Sequence, residues 1–180
     1  VATYVPAGLF ALLTLVGVKT GLGVLGFLAA VGAVATVYCT GMIYASLRTI
    51  RQWNLDLVPA NYLALSGATG AILLALVLSL FGHAPVWVAA LTLVSLVAAG
   101  AMKLHYWRRI DGNKGQYTAE MAIGLGNAGD IRPLDPPHTM PNFVMREMGY
   151  SVARAHAEKL RKTVLVALVG VPVVLVLVSL

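Results

Sequence analysis

Apolar residues fill five runs of this chain: Val5–Val18, Leu22–Leu47, Asn61–Phe81, Pro85–Trp107 and Thr163–Leu180. No Asp or Glu falls in any of them. The runs are too long and too continuously apolar for barrel strands, so each predicts a helix. A bilayer core takes about 20 helical residues to cross. The pattern therefore predicts an all-α, polytopic transmembrane helical bundle of about five spans, the first of them short. Residues 1–107 hold four helices with short turns, 108–162 a long loop ending in a basic juxtamembrane helix, and 163–180 the last span. Pro6, Pro59 and Pro85 sit near span starts, where a missing N–H costs little. Pro172 lies inside the last run and predicts a kink.

Polar residues gather between the runs. Ten of the thirteen Lys and Arg, and six of the seven acidic residues, fall within residues 103–162. Two further bases, Arg48 and Arg51, precede the third run, and only Lys19 lies in a turn on the other side. Basic residues favour the cytoplasmic face. The turn after the second run and the long loop are thus expected inside the cell, with His83 and the C-terminus outside. Trp53, Trp87, Trp107, Tyr44, Tyr62 and Tyr106 cluster at run ends, as interfacial aromatics do.

Composition agrees with lipid as the solvent. The chain is 59% hydrophobic and 11% charged, with a mean hydropathy of +0.82, too few charges for a water-facing surface. The formal charge of +6 follows the flanks of apolar spans, so nucleic acid is not implied. Cys39 has no cysteine partner, which excludes a disulfide or an iron–sulfur cluster within the chain. The chain opens on Val1 with a first run that looks trimmed, and reads as a piece of a longer protein more readily than as the product of signal cleavage.

Small residues recur at helical spacing, as in Gly26, Ala29, Ala30 and Ala33, which lets membrane helices approach closely. Gly17 and Gly21 straddle a turn and read as punctuation. In the loop, residues 124–129 match G-x-G-x-x-G, but no strand precedes them and Pro133 and Pro136 follow. The dinucleotide reading is set aside for want of the strand–helix context it needs. Asn142 is expected to cap a helix through Lys162, with Met145, Met148, Val152 and Ala155 on one stripe. That helix reads as an ordinary basic juxtamembrane segment, or as one held to anionic lipid or to a partner.

The spans lack carboxylates for a proton relay. His83, His105, His138 and His156 do not pair at one depth for haem, and no Cys/His group has zinc spacing. No haem, iron–sulfur cluster or metal is expected. Tyr44, Arg48 and Arg51 are expected to share a face of the second helix at i, i+4 and i+7, at its cytoplasmic end. Met102, His105, Tyr106 and Arg109 form a similar stripe on the fourth. A quinone headgroup needs hydrogen-bond donors beside an apolar slot, so Tyr44, Arg48, His105 and Tyr106 are the candidate quinol-proximal residues. The same residues also suit helix-end anchors.

Two strings carry a resemblance. Cys39-Thr40-Gly41-Met42-Ile43-Tyr44-Ala45-Ser46-Leu47-Arg48-Thr49-Ile50-Arg51-Gln52-Trp53 with Val58-Pro59-Ala60-Asn61-Tyr62 resembles the membrane anchor subunit of bacterial dimethyl sulfoxide reductases. Pro136-Pro137-His138-Thr139 and Met145-Arg146-Glu147-Met148-Gly149 are similar to that family's long loop. The resemblance implies eight spans with both termini periplasmic, of which those here would be the last five. It implies an inner-membrane subunit that oxidises menaquinol in anaerobic respiration. An iron–sulfur electron-transfer subunit and a molybdopterin catalytic subunit would be its partners. The family's quinol-associated His and Arg lie in earlier spans, so no residue is carried over. A small transporter, or a structural membrane protein without quinol activity, are the alternatives.

Overall fold

The computed structural model describes residues 2–48, 50–83, 85–112 and 151–178, with Met121, Ile123, Gly124, Leu134 and Met140. Among the described residues all regular structure is helical. The elements are α1 (Tyr4–Val16), α2 (Leu22–Ala45), α3 (Leu57–Leu80), α4 (Val86–Gly112), α5 (Ser151–Ala155), α6 (Ala157–Leu165) and α7 (Val171–Val178). A π-helical turn, Val166–Gly170, joins α6 to α7.

Among the described residues four stretches are long and apolar enough to cross a membrane: α2, α3, α4 and the continuous Ala157–Leu177. Of the five expected spans these are four, and the first run, α1, is a shorter apolar helix. The first run forms a helix of 13 residues, about 20 Å at helical rise, against a hydrocarbon core of about 30 Å. The four longer apolar helices, of 21 to 27 residues, make the chain a multi-pass membrane protein. The proposed helix start at Asn142, Met145 and Met148, and all but Gly124 of the glycine motif, lie outside the described residues.

Each helix packs mainly on its neighbour in the chain. Gly17 and Gly21, both at φ 81°, turn α1 back onto α2. Val18 N–H reaches Leu13 O at 3.0 Å, the six-to-one bond that closes a glycine-ended helix. Between α2 and α3 the backbones nearly touch: a Cβ at Gly41 would stand 2.7 Å from Pro59 Cα. Pro59 is tolerated there because it sits in the first turn of α3, where no intrahelical acceptor is lost.

The tightest packing is between α3 and α4. Ala68, Leu96 and Ala99 are fully buried, with Ala64, Leu65, Ile72 and Val173 against them. Thr92 is buried too, its hydroxyl near both Val88 O (2.8 Å) and Ala71 O of α3 (3.3 Å). Most other large apolar side chains face outward, as lipid requires and water forbids.

Pro172 does not simply kink the last helix. It has no N–H for the carbonyl four residues earlier. The chain absorbs this by widening one turn, so that Val171 N–H donates to Val166 O, five residues back. Val169, within that turn, packs on Gly100 of α4, where a Cβ would come within 3.1 Å of its Cγ2.

Candidate functional site

The ends of α2 and α4 and the starts of α3 and α6 meet at one end of the bundle, which carries most of the described Lys and Arg. There α2 stops at Ala45. Leu47 N–H bonds Tyr44 O three residues back, and Asn54 Nδ2 donates to Ala45 O at 2.6 Å. The turn that follows is thereby folded under the bundle. Trp53 meets Tyr44 edge-on, with ring centroids 5.1 Å apart, and Tyr44 stacks on Tyr62 of α3 at 5.7 Å. The Tyr106 hydroxyl of α4 donates to Gln52 O at 2.9 Å. Three helices are tied to one turn by aromatic side chains.

This geometry revises the first of the two predicted stripes. Arg48 and Arg51 are not on the Tyr44 face of a helix, because α2 has ended before them. Asn54 takes the Ala45 carbonyl that a continuing helix would have used. Met102, His105, Tyr106 and Arg109 do lie along α4 as expected. Of the four candidates, Tyr44 and Tyr106 converge on adjacent residues, Trp53 and Gln52. Arg48 and His105 are exposed and enter no hydrogen bond or ion pair among the described residues.

A second layer lies outside the first. The Trp107 ring holds the Lys103 ammonium at 5.4 Å and the Arg161 guanidinium at 5.3 Å from its centroid. Lys103 also stands 5.5 Å from the Tyr106 ring. Arg161 then forms a two-pronged ion pair with Asp111, at 2.7 and 2.9 Å. Sequence reasoning missed Asp111 and Arg161 as partners, since nothing local links positions 50 residues apart. It also missed Asn61, buried in the second turn of α3 with no partner for its Oδ1 among the described residues. A polar residue opening an apolar run was the available signal.

Two grooves open beside this patch. One, of about 400 Å³, runs between α2 and α3 and is lined by Tyr38, Met42, Ser46, Asp56, Pro59 and Leu63. Its polar atoms lie toward Ser46 and Asp56 and its apolar wall along Met42 and Leu63, so it suits a flat amphipathic molecule entering from the bilayer. The other, of about 420 Å³, is lined by Leu55, Arg108, Arg109 and Gly112. Among the described residues no group of three or more His, Cys, Asp or Glu is arranged to hold a metal ion.

No family model matches the chain, and no solved structure matches it. A sulfite dehydrogenase subunit of Allochromatium vinosum is 32% identical to it over 157 residues, 84% of this chain. The chain is a relative of that protein. It spans about half the length of the curated protein it matches, 47%. The relative's named reaction differs from that of the dimethyl sulfoxide reductase resemblance; common to both is a place as one subunit of an oxidoreductase.

Proposed function

We propose that this chain is a membrane subunit of a molybdoenzyme-type oxidoreductase complex in the bacterial inner membrane. It anchors the complex and passes electrons between menaquinol and an iron–sulfur subunit, which relays them to or from a molybdopterin catalytic subunit. Menaquinol is the substrate, giving up two electrons and two protons as it becomes menaquinone. The basic end of the bundle faces the cytoplasm and the C-terminus the periplasm. The observation that carries the reading is the 32% identity to a sulfite dehydrogenase subunit, on a chain whose helices suit a bilayer.

The grooved, aromatic end of the bundle supports a quinol nearby. Tyr44, Arg48, His105 and Tyr106 are the side chains to test, with Asp56 at the mouth of the α2–α3 groove as a proton acceptor. Co-purification tests the complex: the full-length protein is expected to bring down an iron–sulfur protein and a molybdopterin protein. Recovery of neither from solubilised native membranes overturns the reading. Quenching of a fluorescent quinol analogue tests the site: Arg48→Ala and His105→Ala are expected to weaken it. Undiminished quenching in both leaves these residues as helix-end anchors only.

A second reading concerns direction. The relative is named a dehydrogenase, which favours electrons running from sulfite into quinone. Sulfite-dependent reduction of the quinone pool in membranes, against sulfoxide-dependent oxidation of menaquinol, separates the two.

A further inference from the structure

The C-terminal end of α4 carries Arg108, Arg109 and Asp111. On an isolated helix Arg108 and Asp111, three residues apart, would be neighbours and would pair. In the fold both oxygens of Asp111 go instead to Arg161. Among the described residues neither Arg108 nor Arg109 has a carboxylate partner. Both line the groove of about 420 Å³, whose other walls are Leu55 and Gly112. Among the described residues the groove thus presents guanidinium donors, one apolar side chain and no acidic group.

Its depth is set by its neighbours. Trp107 precedes the pair directly, and tryptophan rings sit at the headgroup level of a bilayer. The arginines follow by one and two residues, so their guanidinium groups lie among headgroups, not acyl chains. A guanidinium is a planar fork that fits phosphate oxygens two at a time.

We propose that this groove binds the phosphodiester of an anionic phospholipid, phosphatidylglycerol. Phosphatidylcholine carries its own cation beside the phosphate, and here that cation would meet two arginines. Phosphatidylglycerol has no such cation, and Leu55 offers an apolar wall beside the arginines. Basic pockets at the cytoplasmic ends of membrane helices follow the same electrostatics. The engagement of Asp111 by Arg161 is part of the selectivity, because a free Asp111 would neutralise Arg108. This site does not depend on the quinol reading.

The test is lipid retention by the full-length protein, measured by native mass spectrometry after exchange into phosphatidylglycerol or phosphatidylcholine. Wild-type protein is expected to retain phosphatidylglycerol roughly tenfold better. Arg108→Gln with Arg109→Gln should abolish the preference, while Arg108→Lys with Arg109→Lys should keep most of it and reports on folding. Arg161→Gln leaves the groove side chains in place but frees Asp111, and should reduce the preference several-fold. Equal retention of the two lipids by the wild type overturns the proposal, as does an unchanged preference in the glutamine pair. Displacement of the lipid by millimolar inorganic phosphate also overturns it, making the site one for a free anion. An unchanged preference in Arg161→Gln overturns the role given to Asp111.

Discussion

Asp111, at the end of α4, accepts both prongs of the Arg161 guanidinium at 2.7 and 2.9 Å across 50 residues of sequence. The pair ties the last membrane helix to its predecessor just outside the hydrocarbon. Arg161 also lies 5.3 Å from the Trp107 ring, so one side chain joins an ion pair and a cation–π contact. Both partners are well exposed to solvent, and exposed pairs are worth little in water. Its value is in holding α6 against α4.

Asp111→Asn should therefore lower the thermal transition of the solubilised protein only slightly, with the shift shrinking as salt is added. The charge-reversed pair, Asp111→Arg with Arg161→Asp, should restore most of it. Calorimetry or dye-based melting at two ionic strengths reads both. A loss that the reversed pair does not recover would show that the ion pair is not the tie.

Gly41 should tolerate no side chain. Alanine in place of an interior helix glycine ordinarily gains about 1 kcal/mol. Here the new Cβ would meet Pro59 Cα at 2.7 Å, and backbone on both sides cannot rotate away. Overpacking costs about 1–3 kcal/mol, so the clash wins and Gly41→Ala should destabilise the α2–α3 contact. Denaturant titration of the variant checks the sign.

Leu96 and Leu91 are both on α4, one fully buried and the other 47% exposed. Leu96→Ala should cost about 1–3 kcal/mol, below the soluble range of about 2–5, because lipid removes the transfer part and leaves only lost packing. Leu91→Ala should change stability by less than about 0.5 kcal/mol. Similar losses at the two positions would contradict the packing of α3 on α4.

Thr92 offers a smaller version of the same test. Thr92→Val removes the one hydroxyl that approaches the Ala71 carbonyl of α3 from α4, while nearly keeping volume. The expected cost is about 0.6 kcal/mol, the average for hydrogen bonds between membrane helices.

Orientation has its own measurement. Reporter fusions in the turn at Arg51 and in the turn at His83 should give opposite answers, the first cytoplasmic and the second periplasmic. The same answer from both would mean that α3 does not cross.

The membrane class, the starts of α2 and α4 to within a residue and the turn at Gly17–Gly21 were legible in the residues alone. Crossing a bilayer is a one-dimensional requirement, and a run of apolar residues either has the length or lacks it. Pro172 was legible as a disturbance, but its form was not, because the widened turn also depends on Gly100 of another helix making room for Val169.

The candidate site was only half legible. Tyr44 and Tyr106 were marked by position, yet their convergence on Trp53 and Gln52 needs a turn whose fold is decided by Asn54 reaching Ala45. That single side chain ends α2 and takes Arg48 off the helical face where periodicity had put it. Apolar length and charge asymmetry are properties of neighbours in sequence, which determine where helices run. Which arginine finds which carboxylate, and which is left free, depends on surfaces brought together by packing. Only the tertiary structure decided that Asp111 belongs to Arg161 and leaves Arg108 and Arg109 without a carboxylate among the described residues.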